Sequence, residues 1–474
     1  MKRCALATAI LALTLTMGTD ATEPALTFTK LWTHGHETPG QVSEIPAFDR
    51  RTNTIWVAGV VGVDVLDAST GDLVAHIDVT DYGFVNSVAI HNGLAAFAVE
   101  APGDRRNAGT VLFYDTDTIS LSDGVNVVPV GALPDMLTFT HDGSKLLVAN
   151  EGTPNPIADA PYTALDPAGS VSIIDMETRT VVATAGFAGV PTQGSNLRTN
   201  TGMDFEPEYI AVTQDGTRAF VTLQDANGIA VLDLTTNQFT KVIGLGAKDF
   251  SRVGNEIDPR DDRSVAFDVR AAKGLYMPDG IGVYQWRGET LTVMANEGDF
   301  REDNVDRSAA SAFGGVNPLD RLRVSNRDSS VGNLYAAGAR SFSIRDEDGN
   351  VIYDSGSLLD TEAHLRGIYD DGRSRDKGVE PEGVELVDIG GRTYAFVGLE
   401  RTLESAVAIF DITNPTKVTF LDMIVTTGDL SPEGLAAYKY RGDYYLAIAN
   451  EVPAPGSTTS NTTLYRLNRV LPRP

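Results

Sequence analysis

The amino-acid sequence predicts an all-β protein, a seven-bladed β-propeller whose ring is closed by an N-terminal strand. Short β-branched runs separated by Asp-Gly, Gly-Gly and Asn-Gly turns occur along the whole chain, and helical periodicity is hard to find. One composite two-strand pattern recurs seven times. Four antiparallel strands per unit, repeated radially, form a propeller blade, because each unit buries its faces only against its neighbours.

Each copy of the repeat begins with a small residue or with a proline followed by an acidic residue, which we call a Pro-acid start. An apolar strand, a tight turn and a second strand follow, and the second strand often ends in Asn-Glu. Its copies begin at Val42, Val85, Leu133, Glu206, Met277, Glu380 and Ser431. Most copies continue into a third and a fourth strand. The seventh copy ends after its third strand, at 462–469, and the strand at 25–32 has no partner beside the first copy. We therefore expect these two segments to pair and to close the ring.

The N-terminus is typical of a signal peptide. Lys2 and Arg3 precede a short apolar run, and Thr19-Asp20-Ala21 gives a small-x-small cleavage site before Thr22. We expect residues 1–21 to be removed and residues 22–474 to form a single propeller domain that is exported to a periplasm or the extracellular medium. No later stretch is long and apolar enough to predict a membrane span.

Charge and cysteine content exclude several kinds of function. The chain has 64 acidic and 38 basic residues, a formal net charge of −26, which disfavours binding to nucleic acid or anionic lipid. The one cysteine, Cys4, lies in the predicted signal peptide. The mature chain is therefore predicted to have no disulfide, no zinc-thiolate site and no cysteine nucleophile. Nothing in the sequence indicates the oligomeric state.

Acidic residues recur at two positions of the repeat. The first strand begins and the second strand ends at the same end of a blade, close to the central axis, so the two sets should meet there. The strand-start positions are Glu44, Asn86, Asp135, Glu208, Asp279, Glu382 and Glu433. The strand-end positions are Glu100, Glu151, Gln224-Asp225, Glu297, Glu400 and Glu451.

Carboxylates this close repel one another, and they require protons, basic partners or bound cations. A set of oxygen ligands suits Ca²⁺ or Mg²⁺ better than zinc, so the sequence predicts a divalent cation site, most simply for Ca²⁺. The predicted metal ligands are Asp135, Glu151, Glu208, Asp279, Glu297, Glu382, Glu400, Glu433 and Glu451. The alternative is that these acids only start strands and accept backbone N–H groups.

The long connections are predicted to leave from the same face: 152–167, 192–205, 248–276, 299–339 and 361–378. Long loops on one face favour a built site, and the segment 299–339 is long enough to act as a lid. These segments carry the basic residues, of which Arg301, Arg340 and His364 are the catalytic candidates. The alternative is that the basic residues pair with the acids and hold the loops down. His34 and His36 form a His-x-His pair, for which a surface turn is the simpler interpretation than a metal site.

The sequence resembles the choice-of-anchor I family along nearly all of the mature chain. The motifs that carry the resemblance are VNSVA from Val85, LPDMLTFT from Leu133, LLVANEG from Leu146, EPEYIAV from Glu206, ANEGD from Ala295, GARSFSI from Gly338, EPEGVE from Glu380 and AFVGLER from Ala395. The resemblance implies a propeller of the YVTN or WD40-like type, exported or surface-held. Members include mesenchyme-specific surface glycoprotein-like and alkaline phosphatase-like proteins.

Two hypotheses on function follow. The first is a non-catalytic propeller that binds a cation, together with a small-molecule or protein ligand, through the acidic mouth and the loop face. The second, suggested by the phosphatase-like members, is a metal-dependent phosphohydrolase in which arginine holds the phosphate. Propeller phosphatases that the chain is similar to in its acidic ligands use a cysteine ligand beside iron. This chain departs from that pattern, which leaves only a calcium-type hydrolase open.

Overall fold

The structure is a computed structural model that describes residues 26–153, 166–199, 205–301 and 303–469. The predicted signal peptide lies outside the described residues, as do large parts of the predicted loops 152–167 and 192–205. Of the described residues, most belong to antiparallel strands, and the architecture is all-β and propeller-like. No helix within these described ranges has the length and apolarity to cross a membrane.

Seven sheets of four or five strands are present among the described residues. Strand β1 (Leu26–Gly35) belongs to the seventh sheet. The first sheet contains β2 (Pro46–Asp49), β3 (Thr54–Gly59), β4 (Gly62–Asp67) and β5 (Leu73–Asp78). The second contains β6 (Val85–His91), β7 (Leu94–Val99), β8 (Ala108–Asp115), β9 (Ser120–Leu121) and β10 (Val127–Ala132). The third contains β11 (Pro134–Phe139), β12 (Lys145–Asn150), β13 (Ser170–Asp175) and β14 (Thr180–Gly186).

The remaining large sheets follow the same order. The fourth contains β15 (Thr192–Ser195), β16 (Ile210–Val212), β17 (Arg218–Leu223), β18 (Gly228–Asp233) and β19 (Gln238–Leu245). The fifth contains β22 (Ile281–Trp286), β23 (Glu289–Asn296), β27 (Ser341–Asp346) and β28 (Val351–Asp354). The sixth contains β29 (Pro381–Ile389), β30 (Arg392–Leu399), β31 (Ser405–Asp411) and β32 (Thr419–Thr426). The seventh adds β33 (Leu430–Tyr440), β34 (Asp443–Val452) and β35 (Asn461–Arg469) to β1.

The first strand of each sheet lies beside the first strand of the next sheet. This order runs through β2, β6, β11, β16, β22, β29 and β33, and β33 also contacts β2. Between the sheets, apolar side chains from facing strands pack together. Phe342 of the fifth sheet and Phe410 of the sixth sheet, for example, lie 4.4 Å apart between ring centroids. Sheets therefore stack face to face around their first strands, as the repeat pattern predicted.

Strand β1 pairs antiparallel with β35, with Leu26 opposite Arg469 and Gly35 opposite Asn461. The predicted pairing of the N-terminal strand with the C-terminal segment is present from Leu26 onward. Leu26 packs into a core cluster with Phe396 and Ile409 of the sixth sheet. Trp32 donates an indole hydrogen bond to the Ala68 carbonyl at 3.1 Å, which ties β1 to the first sheet.

Several segments that the sequence predicted as loops contain regular structure. Residues Thr192–Ser195 form β15, which pairs parallel with the outer strand β19. The other predicted loops contain β20 (Ala247–Asp249), β21 (Lys273–Leu275), β24 (Arg307–Ala309), β25 (Arg323–Ser325), β26 (Tyr335–Ala336), helices α1 (Asp303–Asp306) and α2 (Leu358–Leu365), and the 3-10 turns Ala310–Phe313, Leu319–Arg321 and Asp371–Arg373. These elements are short and depend on tertiary pairing, so their local sequence signal is weak.

Replacement of Leu26 by Ala should lower the free energy of unfolding by about 2–4 kcal/mol, because it leaves a cavity where β1 packs on the sixth sheet. Leu31→Ala is the matched control, since Leu31 lies on the same strand but its side chain is 41% exposed. Urea denaturation of both variants measures the difference. Equal losses in the two variants would contradict the packing of β1 described here.

Candidate functional site

The carboxylates predicted at the starts of the first strands line one cavity of about 280 Å³. Acids from the ends of second strands reach the same cavity, together with Asn86, Arg105 and Gln224. The lining carboxylates are those of Glu44, Asp135, Glu151, Glu208, Asp279, Glu297, Asp299, Glu382 and Glu433. Acids from both positions of the repeat therefore meet at this cavity, although Glu100, Glu400 and Glu451 are not among the residues that line it. We refer to this cavity and its carboxylates as the acidic mouth.

In and beside the acidic mouth, three overlapping groups of carboxylates each place their oxygens within 4.8 Å of one another. One group is Asp279, Glu297 and Glu382, and a second is Glu382, Glu400 and Glu433. Glu380 joins Glu297 and Glu400 in the third. Glu297, Glu382 and Glu400 each belong to two of the three groups, so these three residues link the groups together.

A local sequence pattern turns the acids of the first strands toward the axis. In four of the Pro-acid starts, the residue before the proline has a positive φ; these residues are Leu133, Met277, Glu380 and Ser431. Immediately after the proline, the pairing register of the first and second strands shifts, as between Pro381 and Val384. Such an irregularity redirects the side chain that lies in it. The acid therefore points out of the sheet and into the mouth.

Glycine follows three of these acids, and it allows neighbouring first strands to approach closely. A Cβ added at Gly280 would lie 2.5 Å from the carbonyl oxygen of Glu382, and one at Gly383 would lie 2.6 Å from that of Glu433. At Gly434 it would lie 2.2 Å from the carbonyl oxygen of Glu44. Each glycine thus packs on the backbone of the acid in the next sheet. This contact brings the carboxylates of successive sheets together.

Burial and mutual repulsion raise the pKa of most acids in and beside the mouth; for Asp299, burial is outweighed by Lys377, and the pKa is lowered. Burial, and then the neighbouring Glu151, raise the pKa of Asp135 to about 7. Burial and Asp299 raise the pKa of Glu297 to about 7, and burial and Glu451 raise the pKa of Glu433 to about 8. The pKa is also raised by burial, and next by other carboxylates, for Glu44, Glu208, Asp279, Glu382 and Glu400. Several of these groups therefore hold protons at neutral pH unless a cation replaces them.

Basic side chains from the loops neutralise part of this charge. The Lys377 ammonium lies 2.8 Å from Glu297 Oε1 and 2.9 Å from Glu380 Oε2, and it also pairs with Asp299. Burial disfavours the charged amine, but these three carboxylates raise the pKa of Lys377 well above its usual value. Arg401 Nη2 lies 2.5 Å from Glu400 Oε1. Basic side chains therefore already neutralise part of the negative charge at the site.

Besides Glu44, which the sequence placed at a strand start, three acids of this region were not among the predicted ligands. Glu206 and Glu380 are fully buried beside the mouth, and Asp299 lines it. The signal for the first two is the repeated Glu-Pro-Glu, in which the first glutamate precedes the strand-start proline. Asp299 is not marked by the repeat, because it follows the second strand by several residues.

The predicted catalytic residues do not meet at the mouth. Arg301 is buried, and its Nη2 donates to Asp166 at 2.6 Å and to Glu206 at 2.7 Å. Arg340 donates to the carbonyl oxygens of Asp258, Ser374 and Asp376 and to the Asp360 carboxylate, away from the cavity lining. His364 is exposed on α2 and lies with its ring edge against Phe267.

Both arginines therefore have the structural role that the sequence analysis gave as the alternative. Arg340 turns away from the mouth because its backbone has a positive φ of 55° and its guanidinium donates hydrogen bonds to carbonyl oxygens of two loops. His364 lies away from the mouth because it is on the exposed face of α2, a helix that the sequence did not predict. Neither Arg340 nor His364 lines the acidic mouth, and a catalytic role for either residue stays a prediction.

A second, larger cavity of about 890 Å³ lies farther along the first strands. Ile45, Met136, Tyr209 and Glu433 line both cavities, so these side chains separate the acidic mouth from the rest of the channel. Glu385 lines the larger cavity, and burial raises its pKa to about 8. It lies on the same strand as Glu382, but it belongs to none of the three groups in the mouth.

Comparisons with known proteins give one family and a general fold. A family model described as choice-of-anchor I domain matches residues 44–415. Among solved structures, the chain is similar to one described as Kuenenia stuttgartiensis hydrazine synthase, at 12% identity and a TM-score of 0.51, covering 88% of this chain and 94% of that one. It is also similar to a chain of a mitotic checkpoint complex, at 11% identity and a TM-score of 0.49, over 97% of this chain and 99% of that one. A search of curated proteins finds no match.

In the presence of a chelator, the melting temperature should fall as the pH rises from 5 to 8. Because burial and neighbouring charge raise the pKa of Glu433 to about 8, the folded state holds protons in this window that the unfolded chain has released. The stabilisation that these groups contribute to the folded state is fully present below about pH 4.5, and it is lost as the pH rises through their folded-state pKa values. Differential scanning fluorimetry measures the slope, which Glu433→Gln should reduce and the exposed Glu177→Gln should leave unchanged. A melting temperature that rises over this window would contradict the raised pKa values.

Replacement of Gly434 by Ala should lower the free energy of unfolding by about 1–3 kcal/mol, because the new Cβ overlaps the Glu44 carbonyl. Gly186→Ala is the matched control, since nothing lies within 4 Å of a Cβ there. Equal melting temperatures for the two variants would show that the close approach of the first strands is not needed.

Proposed function

The chain belongs to the choice-of-anchor I domain family, and from this premise we propose that it is an exported propeller that binds a divalent cation in the acidic mouth. Membership of the family implies a surface-associated or secreted protein. We further propose that the seven large sheets are seven blades of one closed domain spanning 22–474. The contact between β33 and β2 and the pairing of β1 with β35 support that arrangement.

Glu382 is the observation that carries the cation proposal. Its side chain is 8% exposed, and its Oε2 receives no hydrogen bond from any described residue. An uncompensated buried carboxylate oxygen costs free energy, and a cation would remove that cost. Because Glu382 belongs to two groups of convergent oxygens, it would serve one ion or bridge two.

The ligand set favours Ca²⁺. The candidate ligand atoms are all carboxylate oxygens. Ca²⁺ accepts six to eight oxygens in flexible geometry, whereas Mg²⁺ requires a stricter octahedron. The mouth supplies carboxylates from several sheets, so a change in one ligand would be tolerated by the others. Arg105, Lys377 and Arg401 beside the carboxylates would add attraction for an anionic group on a small molecule or protein that completes the coordination.

The phosphohydrolase alternative has no observation in its favour. Arg301 and Arg340 are both held by protein groups, and neither is positioned to clamp a phosphate at the mouth. We therefore propose binding without catalysis. An assay of the purified protein on a generic phosphoester with added Ca²⁺ should give no turnover, and hydrolysis that is lost on chelation would support the alternative.

Calcium should raise the melting temperature of the chelator-treated protein. A cation at one hundred times its dissociation constant adds about 2.7 kcal/mol if it binds only the folded state. Glu382→Gln keeps the shape and removes one charge, so it should reduce this calcium-dependent shift. Without calcium the variant should be as stable as the wild type or more stable, because repulsion is relieved.

Glu385→Gln is the matched control, because it makes the same change three residues along the same strand and outside the acidic mouth. It should leave the calcium-dependent shift intact. If calcium, magnesium and manganese all leave the wild-type melting temperature unchanged, the mouth holds protons and basic side chains instead of a metal ion.

A further inference from the structure

Three of the six histidines of the chain converge on one buried carboxylate, that of Asp64. Asp64 is not among the residues that line the acidic mouth. His36 Nδ1 lies 2.6 Å from Asp64 Oδ2, and His76 Nδ1 lies 2.6 Å from Asp64 Oδ1. The rings of His34 and His36 lie edge to face, 5.2 Å apart between centroids. His34, His36 and Asp64 offer ligand atoms that all lie within 4.8 Å of one another.

The burial of this cluster corrects the interpretation of the His-x-His pair as a surface turn. His36 and Asp64 are each 1% exposed, whereas His34 and His76 are partly exposed. The contact that brings the edge strand β1 against the first sheet could not be seen from the local sequence. That contact supplies the third histidine and the carboxylate that the sequence pattern lacked.

The second nitrogen of the His36 ring already has a partner. His36 Nε2 lies 2.8 Å from Thr462 Oγ1, which in turn bonds Ser43 Oγ at 2.8 Å. His34 makes a hydrogen bond to the backbone of Gly71. In metal sites, the second nitrogen of a ligating histidine is usually held by a hydroxyl or a carbonyl, which fixes the ring and its tautomer.

We propose that His34, His36 and Asp64 form a binding site for a divalent transition metal ion of the zinc type. Imidazole nitrogen suits such ions, and three protein ligands of this kind leave a fourth tetrahedral position for water or an external ligand. On binding, the proton shared by His36 Nδ1 and Asp64 Oδ2 is released to solvent, and these two atoms, now 2.6 Å apart, move to about 3.3 Å, the separation of two ligands of a tetrahedral zinc ion. His76 holds the other oxygen of Asp64 and is therefore a positioning residue.

The site lies at a junction between two sheets. His34 is on β1 and His36 follows it, so both come from the edge of the seventh sheet, whereas Asp64 on β4 and His76 on β5 belong to the first sheet. An ion bound here would cross-link the N-terminal strand to the first sheet. This inference does not depend on the calcium proposal, because the ligands, the location and the preferred ions are all different.

Isothermal titration of the chelator-treated full chain with Zn²⁺, in excess Ca²⁺ to occupy the acidic mouth, tests the site. The wild type should bind one equivalent, and His34→Ala should abolish that binding. His76→Ala should weaken it by about 10–100-fold, since it removes the group that orients a ligand. The exposed His364→Ala should bind as the wild type does.

Hydrogen exchange locates the ion independently of affinity. Zn²⁺ should slow amide exchange in β1 and β4 of the wild type and leave both unchanged in His34→Ala. Absence of binding, or equal binding by the wild type and His34→Ala, would overturn the proposal and leave a hydrogen-bonded histidine network. Because His34 is partly exposed, its variant should fold, and circular dichroism checks this.

Discussion

The close approach of neighbouring first strands at the acid-glycine steps is the constraint on which the site depends. Gly280, Gly383 and Gly434 each pack against the backbone of the acid in the next sheet, so the carboxylates cannot separate without moving whole sheets. Apolar packing between the sheets holds that geometry against the repulsion. The stability of the sheets therefore maintains a concentration of negative charge that no flexible segment would keep.

This concentration of charge organises the loops around it. A buried carboxylate is tolerated when it is protonated, paired or metal-bound. Lys377 forms ion pairs with Glu297, Asp299 and Glu380. Arg301 donates hydrogen bonds to Glu206 and Asp166. The basic residues that the sequence offered as a clamp for a ligand are used by the fold itself. Among the described residues that line the mouth, Glu208 Oε2 and Glu382 Oε2 receive no hydrogen bond.

The repeat explains why the fold and the acidic mouth were predictable and the rest was not. Strand alternation, turn residues and the Pro-acid start recur in nearly every copy, so each copy supports the interpretation of the others. Arg340 and His364 occur once, outside the repeat, and their positions depend on how a particular loop packs. The same holds for β15 and α2, whose sequences lack a strong local preference for strand or helix.

The sequence by itself determined the all-β class, the seven repeats, the pairing partner of the N-terminal strand and the acids that share one end of the sheets. These follow from local periodicity and from the geometry of antiparallel pairing, which acts over a few residues. Only the tertiary structure decided which basic groups neutralise those acids and which carboxylate oxygens are left without a partner. It also decided that His34, His36 and His76 meet at Asp64, because contacts between distant segments depend on packing, which no local pattern encodes.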